Sequence, residues 1–305
     1  TLRSITAAAT LTLALTACSS AEDDPVAGVP AFPIDAPSVT LVNPGENPEE
    51  VRYSPDAEWD TAVAVSAGVD QHVAAPGEAE VADAPAGGNV NKTTLPLTVT
   101  AGEAPAPEGD EEDADSRIDF VVGSGKHSDL DIGQDVAAAE GFRMSWRGDD
   151  SGNLSTLKLL APPEAPERGL QTVEPALLAL VTQNVVFPTE PIGTGGVWKV
   201  ENRVAGDNST VRTTTYTVES IADQTVDLAV DVEERPTEQS LTLDDGQEID
   251  VESSSTTSEG HLTVDLARPL PVAGEVEATT RLVYSGGQQT TRVIQDVTRA
   301  VKYGD

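Results

Sequence analysis

The sequence predicts a mainly β (α+β) protein: a curved antiparallel sheet or incomplete barrel with one helix packed on it. Three observations predict it. Val226, Leu228, Val230 and Val232 alternate strictly with Asp227, Ala229 and Asp231, and similar period-two runs recur through the second half of the chain. Period two sends successive side chains to opposite faces, so each run is a strand with one apolar and one wet face, as in antiparallel sheet. One stretch alone, Ala176, Leu177, Leu180, Val181 and Val185, carries an apolar stripe at helical spacing. Hydrophobic residues make up 38% of the chain, enough for a core, but only 4% of residues are aromatic, so that core must be built mainly from Val, Leu and Ala.

At the start, Arg3 precedes an apolar run from Ile5 to Ala17 that is too short to span a bilayer. The run ends in small residues before Cys18, the single cysteine among 305 residues. Residues 1–17 therefore read as a signal peptide. Leu15-Thr16-Ala17-Cys18 resembles the lipobox of bacterial lipoproteins. That resemblance implies cleavage before Cys18, a diacylglycerol on its sulfur and a further, palmitate-type acyl chain on the new N-terminus. The location it implies is the cell membrane, with the protein lipid-anchored on the extracytoplasmic face. With its cysteine so engaged the chain forms no internal disulfide, and no later stretch is long and apolar enough to cross a membrane.

Loss of residues 1–17 removes one base and no acid, leaving 17 basic against 52 acidic residues and a formal charge of −35. Such a field repels nucleic acid and anionic headgroups, so nucleic acid is excluded as a partner class, while cations and basic envelope proteins are favoured.

Along the chain, residues 18–37 read as the lipidated cysteine and a disordered, acidic, proline-rich tether, and 38–305 as a single β-rich domain. Order is expected from Ser38 to Val42, then a turn-rich stretch, Asn43 to Pro48. Trp59 to Ser66 and Lys92 to Thr100 alternate as strands. Residues 103–115 hold seven acids, two prolines and no base, and read as a mobile acidic loop. Phe142, Met144 and Trp146 share one face of a strand, Arg147 to Asn153 turns the chain, and Leu157 and Leu159 return. The helix is expected to begin near Thr172, with Pro175 in its first turn where amide donors lack partners anyway. Strands follow over Val197–Val204, Thr210–Ile221, Val226–Val232, Leu262–Leu266 and Val276–Tyr284. Gly286-Gly287 is then a hairpin turn into Thr290–Val301.

Val39 to Pro48, with Arg52-Tyr53 just after, resembles the opening of an uncharacterised bacterial, actinobacterial-type lipoprotein family catalogued as a domain of unknown function (6263). Phe187 to Trp198 resembles that family's internal motif, roughly Pro, Val-Gly-x-Gly, Trp, with Ile192 in the usual Val place. The resemblance implies a β-rich envelope lipoprotein domain and brings no catalytic residues. A physical reading of the motif is available. Pro188 and Pro191 stiffen the exit from the helix, Gly193 and Gly195 allow a tight path, and Trp198 is delivered to the core as a strand begins.

The chemistry-bearing residues assemble into no known catalytic or metal pattern. His72, His127 and His261 are far apart and none has a ligand at metal spacing. Gly123-Ser124-Gly125-Lys126 lacks the spacing of a phosphate loop and of a nucleophile elbow. Arg147-Gly148-Asp149 reads as a turn. Asp149–Asn153 and Asp244–Glu248 lack the spaced loop of an EF-hand. The expectation is therefore no enzyme, no metal and no cofactor. Two functions remain: a tethered binding or carrier module for an apolar, lipid-like ligand, or a structural or interaction protein of the envelope with a filled core.

Overall fold

The computed structural model describes residues 24–74, 83–204, 210–237, 240–242, 248–285 and 292–304. Cys18, the signal segment and the Gly286-Gly287 turn lie outside the described residues.

Two short strands open the described chain, β1 (Phe32–Pro33) and β2 (Ser38–Asn43), followed by β3 (Glu46–Glu49) and the long β4 (Ala57–Ala74). Next come β5 (Asn91–Glu103), β6 (Ser116–Val122), the two-residue β7 (Lys126–His127) and helix α1 (Leu130–Ala137). A hairpin of β8 (Arg143–Gly148) and β9 (Leu154–Leu160) leads to helix α2 (Glu167–Thr182). After it run β10 (Ile192–Thr194), β11 (Val197–Val204), β12 (Thr210–Ala222) and β13 (Thr225–Pro236). The chain ends with β14 (Ser240–Thr242), β15 (Glu248–Asp265), β16 (Ala273–Ser285) and β17 (Arg292–Tyr303).

Nearly all strands join one antiparallel sheet in the order β1-β9-β8-β6-β5-β4-β17-β16-β15-β13-β12-β11-β2, while β3 and β10 form a separate small ladder. Laid flat, thirteen strands would span about 58 Å at 4.8 Å per neighbour. Yet its two edges, β1 and β2, are joined by residues 34–37, a link that reaches at most about 18 Å. The sheet must therefore curl until its edges nearly meet. β1 and β2 do not pair with each other, so the barrel stays incomplete.

Paired residues share a face, which lets the inner wall be followed across the sheet. Leu95 faces Val63, and Val65 leads through Val301 to Val276 and Gly260. Val230 continues through Tyr216 to Trp198 and Leu41. On this wall α2 lays Val173, Ala176, Leu177 and Leu180, all buried. Aromatic rings fill the remaining space. Tyr53, Phe187, Trp198 and Tyr216 touch in series with centroids 5.1–5.6 Å apart, and Phe120 meets Trp146 edge-on at 4.5 Å.

Both helices depart from expectation. α2 starts after Pro166, five residues before Thr172, and Pro175 sits inside it. The apolar stripe lies where the periodicity put it, although Val185 falls just past the helix end, fully buried. Pro175 leaves the Gln171 carbonyl without its helical donor. The helix persists because its buried face is held by the sheet, and tertiary packing outweighs one lost bond. α1 was not foreseen: at eight residues, with Gly133 inside and one buried residue, Val136, it offers too little period to read. Asp129 caps it, its carboxylate accepting from the Asp131 amide at 2.9 Å.

Residues 24–37 do not behave as a disordered tether, and 103–115 is no free loop. Arg117, Arg147 and Lys158 all point outward from β6, β8 and β9, and the acids of both segments close over them. Asp24 grips Arg117 with both oxygens at 2.6 and 2.9 Å, and Val26 is buried beside it. β1 then pairs with β9, and the Ile34 amide bonds Ser155 at 2.9 Å. Glu111 bonds Lys158 at 2.6 Å and Arg147 at 3.2 Å, with all three side chains at most 7% exposed. Arg147 also donates to the carbonyls of Glu112 and Pro105. Composition marks each segment only as acidic and proline-rich; it is the cations opposite that make burial favourable.

Candidate functional site

Two segments carry the family resemblance, and the fold brings them to one place, the edge of the sheet formed by β2 and β11. β3 pairs with β10, so Glu46–Glu49 lies along Ile192–Thr194. The Gly193 amide bonds the Pro44 carbonyl at 2.8 Å. At Gly45, with φ +79°, a side chain would collide with the Gly193 carbonyl; at Gly193 it would collide with that of Glu46. Only glycine permits this approach. Arg52 donates to the carbonyls of Pro188 and Thr189 at 3.0 and 2.7 Å, and the Tyr53 hydroxyl donates to Val185 at 3.2 Å.

Within this knot Pro188 and Gly193 are buried while Pro191 and Gly195 are exposed, Gly195 with φ +76°. Trp198 is wholly buried, and its indole N–H donates to the Val186 carbonyl at 2.9 Å. The arrangement positions backbone and core.

A second cluster was missed at the sequence level. Glu234 stands in phase with buried Val226, Leu228, Val230 and Val232, so its carboxylate points to the inner wall and is buried. Arg212, its cross-strand partner, donates to it at 3.0 Å, and Thr280 and Arg299 reach its other oxygen at 3.0 and 3.2 Å. A charged residue in register with core valines was the available signal. The cluster closes the apolar interior at one end. Beyond it the inner positions of β4, Val69 and Val73, are 59% and 67% exposed, with Val297 and Val293 paired beside them.

Along the open seam between the β1 and β2 edges runs a narrow cleft lined by Ile34, Leu154, Thr182, Asn184, Asn202 and Tyr216. Burial pushes the Tyr216 hydroxyl up to about 12 and raises those of Tyr53 and Tyr303. These phenols stay neutral and serve packing; Tyr53 also donates to Val185, while the Tyr303 hydroxyl is buried without a hydrogen-bond partner among the described residues. On the outer surface Arg117 holds the Asp24 carboxyl down to about 2. Burial alone would raise Glu111, but the bond from Lys158 and neighbouring donors outweigh it and leave it below the usual range.

The remaining expected residues are dispersed. His72, His127 and His261 lie on β4, β7 and β15, and His127 accepts from the Asp129 amide. Asp149 accepts from Ser151 and Asn153, which makes its acidic stretch a self-bonded turn. Residues 243–247 lie outside the described residues, as does Cys18. Arg147 is a buried residue of β8, so the Arg-Gly-Asp triplet is not presented at a tip. Among the described residues no three His, Cys, Asp or Glu side chains gather as a metal site would require, and no helix is long and apolar enough to cross a membrane.

Neither a protein-family model nor a curated protein matches the chain.

Proposed function

We propose that this chain is a lipid-anchored envelope protein, held by Cys18 on the extracytoplasmic face, that works as a non-enzymatic interaction scaffold. The address rests on the lipobox. The scaffold reading is carried by one observation: α2, Phe120, Phe142, Trp146, Phe187 and Trp198 fill the inner wall of the sheet, where a carrier would hold its ligand. Partners then meet the outer surface, where Asp231, Glu233 and Glu259 stand exposed on neighbouring strands and suit a basic partner. Membership in the lipoprotein family is part of this proposal and rests on the resemblance of Val39–Pro48 and Phe187–Trp198 alone. Native mass spectrometry of the delipidated protein after gentle purification tests the scaffold reading. A single apo mass is expected, and stoichiometric co-purifying lipid would overturn it.

The Val69 and Val73 ledge favours a second reading, an apolar ligand held on the inner face beyond Glu234. In that case lipid would co-purify and would be lost in a Val69→Ser, Val73→Ser variant.

A further inference from the structure

We infer that the anchored protein lies close against the bilayer with a fixed face toward it, namely the outer side of β6, β8 and β9 with the Glu111 loop. This rests on the lipid-anchored reading of Cys18. A disordered segment through residue 37 would let the body swing at the end of a coil about 25 Å long. The fold shortens that leash. Asp24 is fastened to Arg117 by two hydrogen bonds, its carboxylate also accepts the Val26 amide at 3.0 Å, and Val26 is buried. β1 and Ile34 fasten the rest along β9. Asp24 is only six residue steps from Cys18, a separation of at most about 21 Å whatever path the chain takes.

The acylated cysteine sits at the boundary of the hydrocarbon, and headgroups occupy about 5–7 Å above it. Asp24 is thus confined to within about 15 Å of the headgroup surface. Whatever neighbours Asp24 is confined with it: Lys158, whose charge acts on Asp24, and Glu111 bonded to Lys158. β15 is five strand neighbours from β6, about 24 Å further round the sheet, and faces away. Because the nearby loop is acidic, the short leash holds like charge near an anionic surface against repulsion that salt screens within about 10 Å. Asp24 docking, rather than surface attraction, sets the orientation.

Energy transfer to acceptor-labelled lipid tests this. With Cys18 acylated, an introduced cysteine is the sole free thiol. Asp113→Cys, exposed on the loop, reports the near face, and His261→Cys, exposed on β15, reports the far face. The full-length lipidated protein is placed in phosphatidylcholine vesicles containing phosphatidylglycerol. Transfer should be at least twofold stronger from position 113 than from 261. A twelve-residue Gly/Ser insertion between Cys18 and Asp24, which leaves every docked residue intact, adds on the order of 20 Å of coil and should erase that difference. Equal transfer from both sites, or no response to the insertion, overturns the inference while Cys18→Ala still releases the protein and keeps the anchor reading. If Cys18→Ala stays on the membrane, the anchor reading fails and this inference with it.

Discussion

At the scale of single residues, the side chains that matter most are those whose partners the fold has made irreplaceable. Trp198 has no exposed surface, stacks on Tyr216 and donates to Val186. Trp198→Ala leaves a cavity and an unpaired carbonyl, so a loss of about 3–5 kcal/mol is expected in urea unfolding. An unchanged midpoint would show that the indole is not a core element. Asp24 yields a pH prediction with a definite sign. Held at about 2 in the folded protein, below the ordinary carboxyl value of 3.8, its carboxyl makes a pair with Arg117 that adds stability complete above pH 4. That contribution is lost as pH falls from 4 toward 2. Because the carboxyl is about a third exposed, solvent screening reduces it to roughly 1 kcal/mol. Asp24→Asn should flatten this acid limb and leave stability between pH 6 and 8 lower by the same amount. A limb of unchanged steepness would assign it to other carboxylates.

At the scale of elements, what the sequence made legible was whatever repeats. Strand β13 alternates along nearly its whole length with every inward valine buried, and β12 alternates from Arg212 to Glu219. Trp198 and the glycines of its motif were legible because Pro and Gly mark backbone geometry directly. Elements held by a partner elsewhere in the chain were not. Residues 103–115 carry no local cue that Arg147 and Lys158 await Glu111 across a fold that must form first, and the same holds for Asp24 and Arg117. Glu111→Ala tests this. It strands two buried cations, so stability should fall by about 3–5 kcal/mol, and limited proteolysis should then cut within 103–115, which resists in the parent. Equal resistance in the variant would mean that the loop is held by its backbone bonds alone. α2 offers the converse case, a local rule overridden by packing. Pro175 is exposed on the helix and withholds a donor from Gln171. Pro175→Ala should therefore stabilise by about 1–3 kcal/mol, read as a higher melting temperature.

At the scale of the whole molecule, charge is the dominant unbalanced quantity. Acids outnumber bases about threefold, and eleven basic side chains already hold ion pairs among the described residues. The remaining acids stand on turns and outward strand faces with like charges around them. We predict that this surface acts as a general repulsive field. Added sodium chloride has two opposing effects. It screens acid–acid repulsion within about 10 Å at 0.1 M, and it weakens exposed ion pairs such as Arg235 with Glu201. Exposed pairs contribute at most about 1 kcal/mol each, and the strongest pairs, at Glu234 and Glu111, are buried and little screened. Repulsion therefore wins, and the melting temperature should climb steadily over the first few hundred millimolar. Millimolar calcium at matched ionic strength should add nothing more. A large saturable shift with calcium alone would overturn this, because a ligand that binds only the folded state stabilises by mass action. Asp149 would then be the first residue to replace, since its carboxylate already organises a turn of oxygen-bearing side chains.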